Sequence, residues 1–121
     1  MSVPSVAIIG ASRSPHKYGY RAVRAYLRRG WTVYPVTPNE TEIEGLPTFA
    51  SVADIPGPVD RATIYVPPQI GIGLLPDLQR KQIPEIFLNP GSESDALVAE
   101  AERLGLNIIQ ACSIVDIGER P

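Results

Sequence analysis

The residues best placed to do chemistry in this sequence stand together near its start. Val6-Ala7-Ile8-Ile9 is a short apolar run of the kind that forms a strand buried on both faces, and it runs into Gly10-Ala11-Ser12-Arg13, with Lys17 shortly after. A glycine at a strand end lets the backbone approach a bound group, and small Ala11 and Ser12 leave room for it. Free backbone N–H groups and the Ser12 hydroxyl can donate, Arg13 and Lys17 add charge, and a following helix points its positive end the same way. That combination suits a phosphate. The bland reading of Gly10 is mechanical, a residue that simply turns the chain tightly.

Charge distribution supports an anionic ligand. Between Met1 and Asn39 lie six basic residues (Arg13, Lys17, Arg21, Arg24, Arg28 and Arg29), His16 and no acid, whereas all 13 acids fall from Glu40 onward. A basic first third in a chain of net charge -2 points to a local anionic ligand rather than to nucleic acid. Arg21, Arg24 and Arg28, spaced three and four apart, also read as a solvated helix face. Arg13 and Lys17 fall in a loop and escape that reading.

The loop departs from the dinucleotide fingerprint, which requires G-x-G-x-x-G and an acid at the end of the second strand. Here Ala11, Ser12 and Arg13 follow Gly10, and the second strand ends Val36-Thr37-Pro38-Asn39. Both departures count against NAD, and a longer, more basic loop suits a ligand carrying several phosphates.

The elements that must position this loop alternate. A helix is predicted over 19–29, with Val23, Tyr26 and Leu27 at helical spacing and Gly30 as its stop. Trp31 to Val36 reads as a strand stopped by Pro35 and Pro38. Leu46 to Phe49 reads as a short edge strand, 51–55 as a helical turn, and Ala62 to Val66 as a strand halted by Pro67-Pro68. Gln69 to Gln82 reads as a helix in which Pro76 demands an early position or a kink. Glu85 to Leu88 is a strand ending at Asn89-Pro90-Gly91. Ser92-Glu93-Ser94-Asp95 fits a capping box for a helix with Leu97, Ala101 and Leu104 on its core face, and Leu106 to Gln110 is a last strand before a tail.

Strands separated by helices imply parallel pairing through right-handed crossovers. The expected architecture is a three-layer α/β domain, an open parallel sheet of five or six strands with helices on both faces, spanning 1–121 as one unit. Such sheets bind ligands at the carboxyl ends of their strands. Those ends are rich in Gly, Pro and small polar residues and carry no catalytic acid or histidine.

Ile9-Gly10-Ala11-Ser12, then Tyr18-Gly19-Tyr20-Arg21, then Val33-Tyr34-Pro35-Val36-Thr37-Pro38 resemble the CoA-binding domain family, which is related to the amino-terminal domain of the succinyl-CoA synthetase alpha subunit. The similarity continues through Tyr65-Val66-Pro67-Pro68, Asn89-Pro90-Gly91 and the Cys112 region. It implies a Rossmann-like fold with coenzyme A across the strand ends. Gly10, Ala11, Ser12 and Arg13 would hold phosphates, with Lys17 and Tyr20 as neighbours; Thr37 and Pro38 would border the nucleotide; Val66, Pro67 and Pro68 would line the adenine or pantetheine path. Asn89, Pro90 and Gly91 complete the implied site. The family often carries an asparagine and then a lysine near the second-strand end, where this chain has Thr37, Asn39 and Glu40.

The resulting expectation is a cytoplasmic module that binds coenzyme A or an acyl-CoA and is not itself an enzyme. Its rivals are an NAD(P)-dependent enzyme and a ligand-free interaction or regulatory domain. A protein partner or self-association fits either. No secretory leader, membrane span, disulfide framework or metal site is expected, since the start lacks a basic apolar leader and Cys112 is the one cysteine. His16 reads as a surface or ligand-edge residue. Cys112 reads as a small buried hydrophobe, with an acyl-accepting thiol as the sharper alternative.

Overall fold

The computed structural model describes residues 3–121; Met1 and Ser2, part of the start read as lacking a leader, lie outside the described residues. Five strands form one parallel sheet: β1 (Ser5–Ile9), β2 (Thr32–Val36), β5 (Arg61–Ile64), β6 (Glu85–Leu88) and β7 (Ile108–Gln110), in the order β2-β1-β5-β6-β7. Between them, β3 (Glu42–Ile43) and β4 (Leu46–Pro47) pair antiparallel as a separate small ribbon, and Val52–Asp54 makes one 3₁₀ turn. The expected edge strand is therefore split: Leu46 and Pro47 join this ribbon, while Phe49 alone bridges Val36 of β2.

The central strands are buried on both faces because helices cover both. On one side α1 (Tyr18–Arg28) and the short α4 (Ser113–Asp116) pack on Val6, Ile8 and Val33. On the other, α2 (Pro68–Lys81) and α3 (Asp95–Arg103) pack on Ala7, Ile9, Ala62, Ile64, Ile86 and Leu88. Successive residues of β1 thus feed opposite cores, as the pleat of a strand requires. This is the three-layer Rossmann-like α/β architecture expected from the alternating pattern.

Three local readings need correction. β2 ends at Val36 as expected, but Pro35 lies inside it rather than stopping it, because β2 is at the sheet edge, where a missing N–H costs no ladder bond. Of the two placements read for Pro76, an early position or a kink, the first fails: Pro76 lies in the interior of α2, its ring exposed while Leu75 and Leu78 beside it are fully buried. The cap of α3 is Ser94, whose Oγ accepts from the Leu97 N–H at 3.1 Å. Ser92 instead donates to the Ile64 carbonyl at 3.0 Å, and Glu93 reaches the Gly91 N–H rather than closing a reciprocal box.

The tail after β7 is structured. α4 locks onto α1 and the sheet through Ser113, whose hydroxyl shares a 2.8 Å hydrogen bond with the buried Tyr26 hydroxyl. Asp116 accepts from Arg61 Nη1 at 2.9 Å, and Arg61 lies between the rings of Trp31 and Phe87. Glu119 takes both Arg28 and Arg29 at 2.8 Å. Much of the basic helix is therefore spent on holding the chain's own tail. Arg24 likewise turns to the Tyr20 hydroxyl and Glu44.

Asn89 organises the same region from within. Its Nδ2 donates to Thr63 Oγ1 at 2.7 Å and to the Ile64 carbonyl at 2.9 Å, while its Oδ1 accepts from the Ser113 N–H at 2.9 Å. Asn89 is 2% exposed, so it ties β5, β6 and α4 together rather than facing a ligand. An Asn89→Ala variant strands a buried hydroxyl and a buried N–H together, and its unfolding free energy in a denaturant titration is expected to fall by about 2–4 kcal/mol.

Candidate functional site

The chain leaves β1 for β2 on one side and then crosses to β5 on the other, so the sheet's topological switch lies between β1 and β5. A cleft of about 920 Å³ opens there at the carboxyl ends of the strands, the position where open α/β sheets take ligands. Its walls are the segments that follow β1, β2, β5 and β6.

Two glycines build its floor. Gly10 has φ +90°, a conformation that favours glycine, and a Cβ there would stand 3.0 Å from Val66 Cγ1 and 3.1 Å from the Tyr65 carbonyl carbon. A side chain at Gly10 would thus press on the end of β5 rather than fill the open cleft. Gly19, in the first turn of α1, is tighter still: its Cβ would lie 2.1 Å from the Gly10 carbonyl oxygen. Close packing of helix on strand end, which the dinucleotide fingerprint assigns to its last glycine, is done here by Gly19 after a longer loop.

The donors of the loop are not those the sequence suggested. The Gly10 and Ala11 N–H groups both donate to the Val36 carbonyl, at 3.0 and 3.3 Å, and so are spent on fixing the loop to β2. Ser12 Oγ accepts from the Ser14 N–H at 3.0 Å, which leaves its own proton free to donate. Among the described residues, the N–H groups of Ser12, Arg13, Tyr18 and Gly19 have no protein acceptor. The start of α1 is open as well: its N-cap is Lys17, no side chain caps it, and its first turn holds no acid. The positive end of α1 is therefore unneutralised where Lys17, Tyr18 and Gly19 line the cleft. Neither Lys17 nor Arg13 is ion-paired among the described residues.

The opposite wall is apolar. Val66 and Pro67 leave the end of β5, and Ile70 and Leu74 follow on α2; Tyr18 and Ile70, both largely exposed, flank the mouth. Of the residues singled out in the sequence, Gly10, Ala11, Ser12, Lys17, Thr37, Pro38, Val66, Pro67, Pro90 and Gly91 come together here. Arg13 and Tyr20 line a separate, smaller hollow of about 320 Å³ with Glu42, Ile43, Glu44 and Gly45. Pro68 starts α2 outside the cleft lining, and Asn89 is turned into the core. His16 is exposed and lines neither hollow, and Cys112, half-buried at the start of α4, lies outside the cleft.

Sequence reasoning missed Ser14, Tyr18, Gly19, Glu40, Tyr65, Ile70 and Leu74 as cleft residues. Gly19 had a signal, a glycine held between two tyrosines where a helix begins. Tyr65 lines the cleft while its hydroxyl is buried and makes no hydrogen bond of ordinary geometry among the described residues. Burial pushes this phenol up to about 12, and the nearby hydroxyls of Ser113 and Thr63 offset only part of that.

With this geometry in view, residues 4–118 match the model of a family described as the CoA binding domain. The chain belongs to that family. Curated relatives include the alpha subunit of an ADP-forming acetate–CoA ligase II from Pyrococcus furiosus, 44% identical over 51% of this chain, and the ADP-forming acetate–CoA ligase II of Archaeoglobus fulgidus, 38% identical over 86% of it. The matches span 14% and 16% of those two proteins, so this chain corresponds to a small part of each. A solved structure of a conserved hypothetical protein from Pyrococcus furiosus is 32% identical, with a TM-score of 0.86 over 93% of this chain and 98% of that one.

These relatives correct one expectation. A chain expected not to be an enzyme itself proves homologous to part of ADP-forming acetate–CoA ligases, which are enzymes. Those relatives are several times longer than the 121 residues of this chain. No helix among the described residues is long and apolar enough to cross a membrane.

Two measurements test this construction. Gly19→Ala drives a methyl into the Gly10 carbonyl, and a loss of about 1–3 kcal/mol in unfolding free energy is expected. Tyr65 remains neutral in the folded chain above pH 10, where the unfolded chain begins to ionise it. The stability that the neutral phenol contributes is complete below pH 10 and is lost as pH rises from there through about 12. Alkaline unfolding followed by circular dichroism is expected to be shallower over that window in Tyr65→Phe than in the native chain.

Proposed function

We propose that the cleft binds coenzyme A or an acyl-CoA, with the pyrophosphate held by the loop after β1 and the start of α1. The observation that carries this reading is the uncapped N-terminus of α1, with Lys17 as its N-cap, opening directly onto the cleft. An anion at that position gains hydrogen bonds from free N–H groups, the favourable end of the helix dipole and an unpaired lysine at once. Thr37 and Pro38 border the adenosine, and the apolar wall of Val66, Pro67, Ile70 and Leu74 guides the pantetheine arm.

Membership of the CoA-binding domain family supports this choice over NAD(P). We read residues 1–121 as one CoA-binding unit that contributes the CoA site of an acyl-CoA ligase. The name of one relative, a ligase subunit alpha, favours a partner subunit. Covering the cleft mouth with such a partner would also shield the exposed Tyr18 and Ile70 side chains.

Gly10→Val is a poor probe, because it strains the backbone and strikes Tyr65 and Val66 before any ligand is met. Lys17→Asp is a better one. Lys17 has the extended backbone of an N-cap (φ -87°, ψ 144°), so an aspartate there caps α1 and stabilises the fold by about 0.5–2 kcal/mol. The same carboxylate occupies the free N–H groups and repels phosphate. Calorimetric titration with CoA, with NAD, NADP and ATP as competitors, is expected to show selective CoA binding that weakens with salt. In Lys17→Asp the affinity is expected to fall by about tenfold or more while the melting midpoint holds or rises. Unchanged affinity in that variant rules out the proposed phosphate position, and selective binding of NAD(P) redirects the reading to redox chemistry.

A further inference from the structure

The two edges of the sheet are finished differently. Beyond β2 the edge is closed: Pro35 has no N–H to offer, its carbonyl accepts from the Phe49 N–H at 2.9 Å, and the Thr37 N–H donates to the Phe49 carbonyl at 2.9 Å. Beyond β7 no segment among the described residues pairs with the sheet. The Asn107 carbonyl accepts from the Ile86 N–H at 3.0 Å, and the Ala111 N–H donates to the Leu88 carbonyl at 3.2 Å, so the extended run against β6 covers 107–111. Peptide groups alternate in direction along a strand. Residues 107, 109 and 111 therefore spend theirs on β6, whereas Ile108 and Gln110 each turn an N–H and a C=O away from the sheet.

The devices that usually blunt such an edge are missing from this run. Asn107-Ile108-Ile109-Gln110-Ala111 holds no charge and no proline. Ile108 packs on the core beneath α2 and α3, and Ile109 points to the opposite face, in register with Phe87. That face is covered by α1 and the four-residue α4. Ile109 joins neither core cluster among the described residues; it is left half-buried, and Val115 of α4 is exposed.

The occupant that fits this edge is the same edge of a second copy. Antiparallel pairing about a two-fold axis at Ile109 sets Ile108 opposite the copy's Gln110, and Gln110 opposite its Ile108. Each pair exchanges two N–H···O=C bonds, so every outward group of the run is satisfied. Ile109 then meets its own counterpart as a non-hydrogen-bonded pair, the closer kind, in which β-branched side chains pack well. The axis stands perpendicular to the sheet, so the half-buried faces of the two copies lie on the same side. Pairing also closes after one addition, because the outer edges that remain are both finished by Pro35 and Phe49.

We infer that the β7 edge is a self-association surface through which two copies of this chain join their sheets around Ile109. No residue of β7 lines the cleft, so both clefts stay open. The contact is small beside a standard interface of about 1,600 Å², which makes this a weak dimer that fills as concentration rises.

Sedimentation equilibrium of the full chain from micromolar to millimolar concentration is expected to show a mass that rises toward two copies and stops there. Gln110→Pro removes an outward N–H while leaving the bonds to β6, and Ile109→Lys sets like charges against each other on the axis. Each is expected to weaken association by about tenfold or more, with the melting midpoint of the dilute chain unchanged. Mixing Ile109→Lys with Ile109→Glu is expected to restore pairing. A mass that stays at one copy up to millimolar concentration overturns the assignment. So does a dimer that survives both Gln110→Pro and Ile109→Lys, a lysine–glutamate mixture that stays monomeric, or growth past two copies.

Discussion

The close approach of Gly19 to the Gly10 carbonyl sets the geometry on which the rest of this molecule depends. Only two hydrogens on each α-carbon allow a helix to start directly against the end of a central strand, with a would-be Cβ 2.1 Å from the carbonyl oxygen. Once α1 begins there, its axis is fixed over β1, and its buried face of Ala22, Val23 and Tyr26 meets Val6, Ile8 and Val33. Its N-terminus is also fixed, open toward the cleft. The packing contact and the binding potential are one constraint: moving α1 outward to admit a side chain at Gly19 would carry the free N–H groups away from the cleft floor.

A helix end left without a cap is costly. Its first N–H groups have no intrahelical partner, and a serine or aspartate at the N-cap would satisfy one of them for about 1 kcal/mol. The same chain caps α3 with Ser94 and the 3₁₀ turn with Ser51, so the device is available to it. α1, like α2 and α4, goes without a side-chain cap, and at α1 the open end faces the cleft, the kind of local inconsistency expected where binding competes with stability. The stability forgone there is offset elsewhere, in part by the tail: Asp116 on Arg61, Glu119 on Arg28 and Arg29, and Ser113 on Tyr26 and Asn89 close the other side of α1 against the sheet.

The fold was legible in the sequence wherever one local rule decided it. Val6 to Ile9 is apolar throughout and Ala62 to Ile64 is apolar but for Thr63, because both runs are covered on both faces, and the alternation of such runs with helical ones leaves few topologies. The errors share a cause, that the deciding partner is distant in sequence. Pro35 is tolerated because β2 is an edge, which depends on the order of all five strands. The tail reads as coil because α4 is four residues long and owes its order to Tyr26, Arg61 and Asn89. Arg28 and Arg29, which look like ligand charge or solvated surface, are answered by an acid about ninety positions away.

The site was legible as a set of strand ends but not as a set of donors. The loop's residue types point to phosphate, yet which N–H groups remain free is decided by the Val36 carbonyl, which takes both Gly10 and Ala11. Residue type likewise cannot say which way a side chain faces. Asn89 has the composition of a ligand contact and the geometry of a core brace, whereas Glu40, read in sequence as the mere absence of a cation, stands on the cleft wall as a charge in its own right.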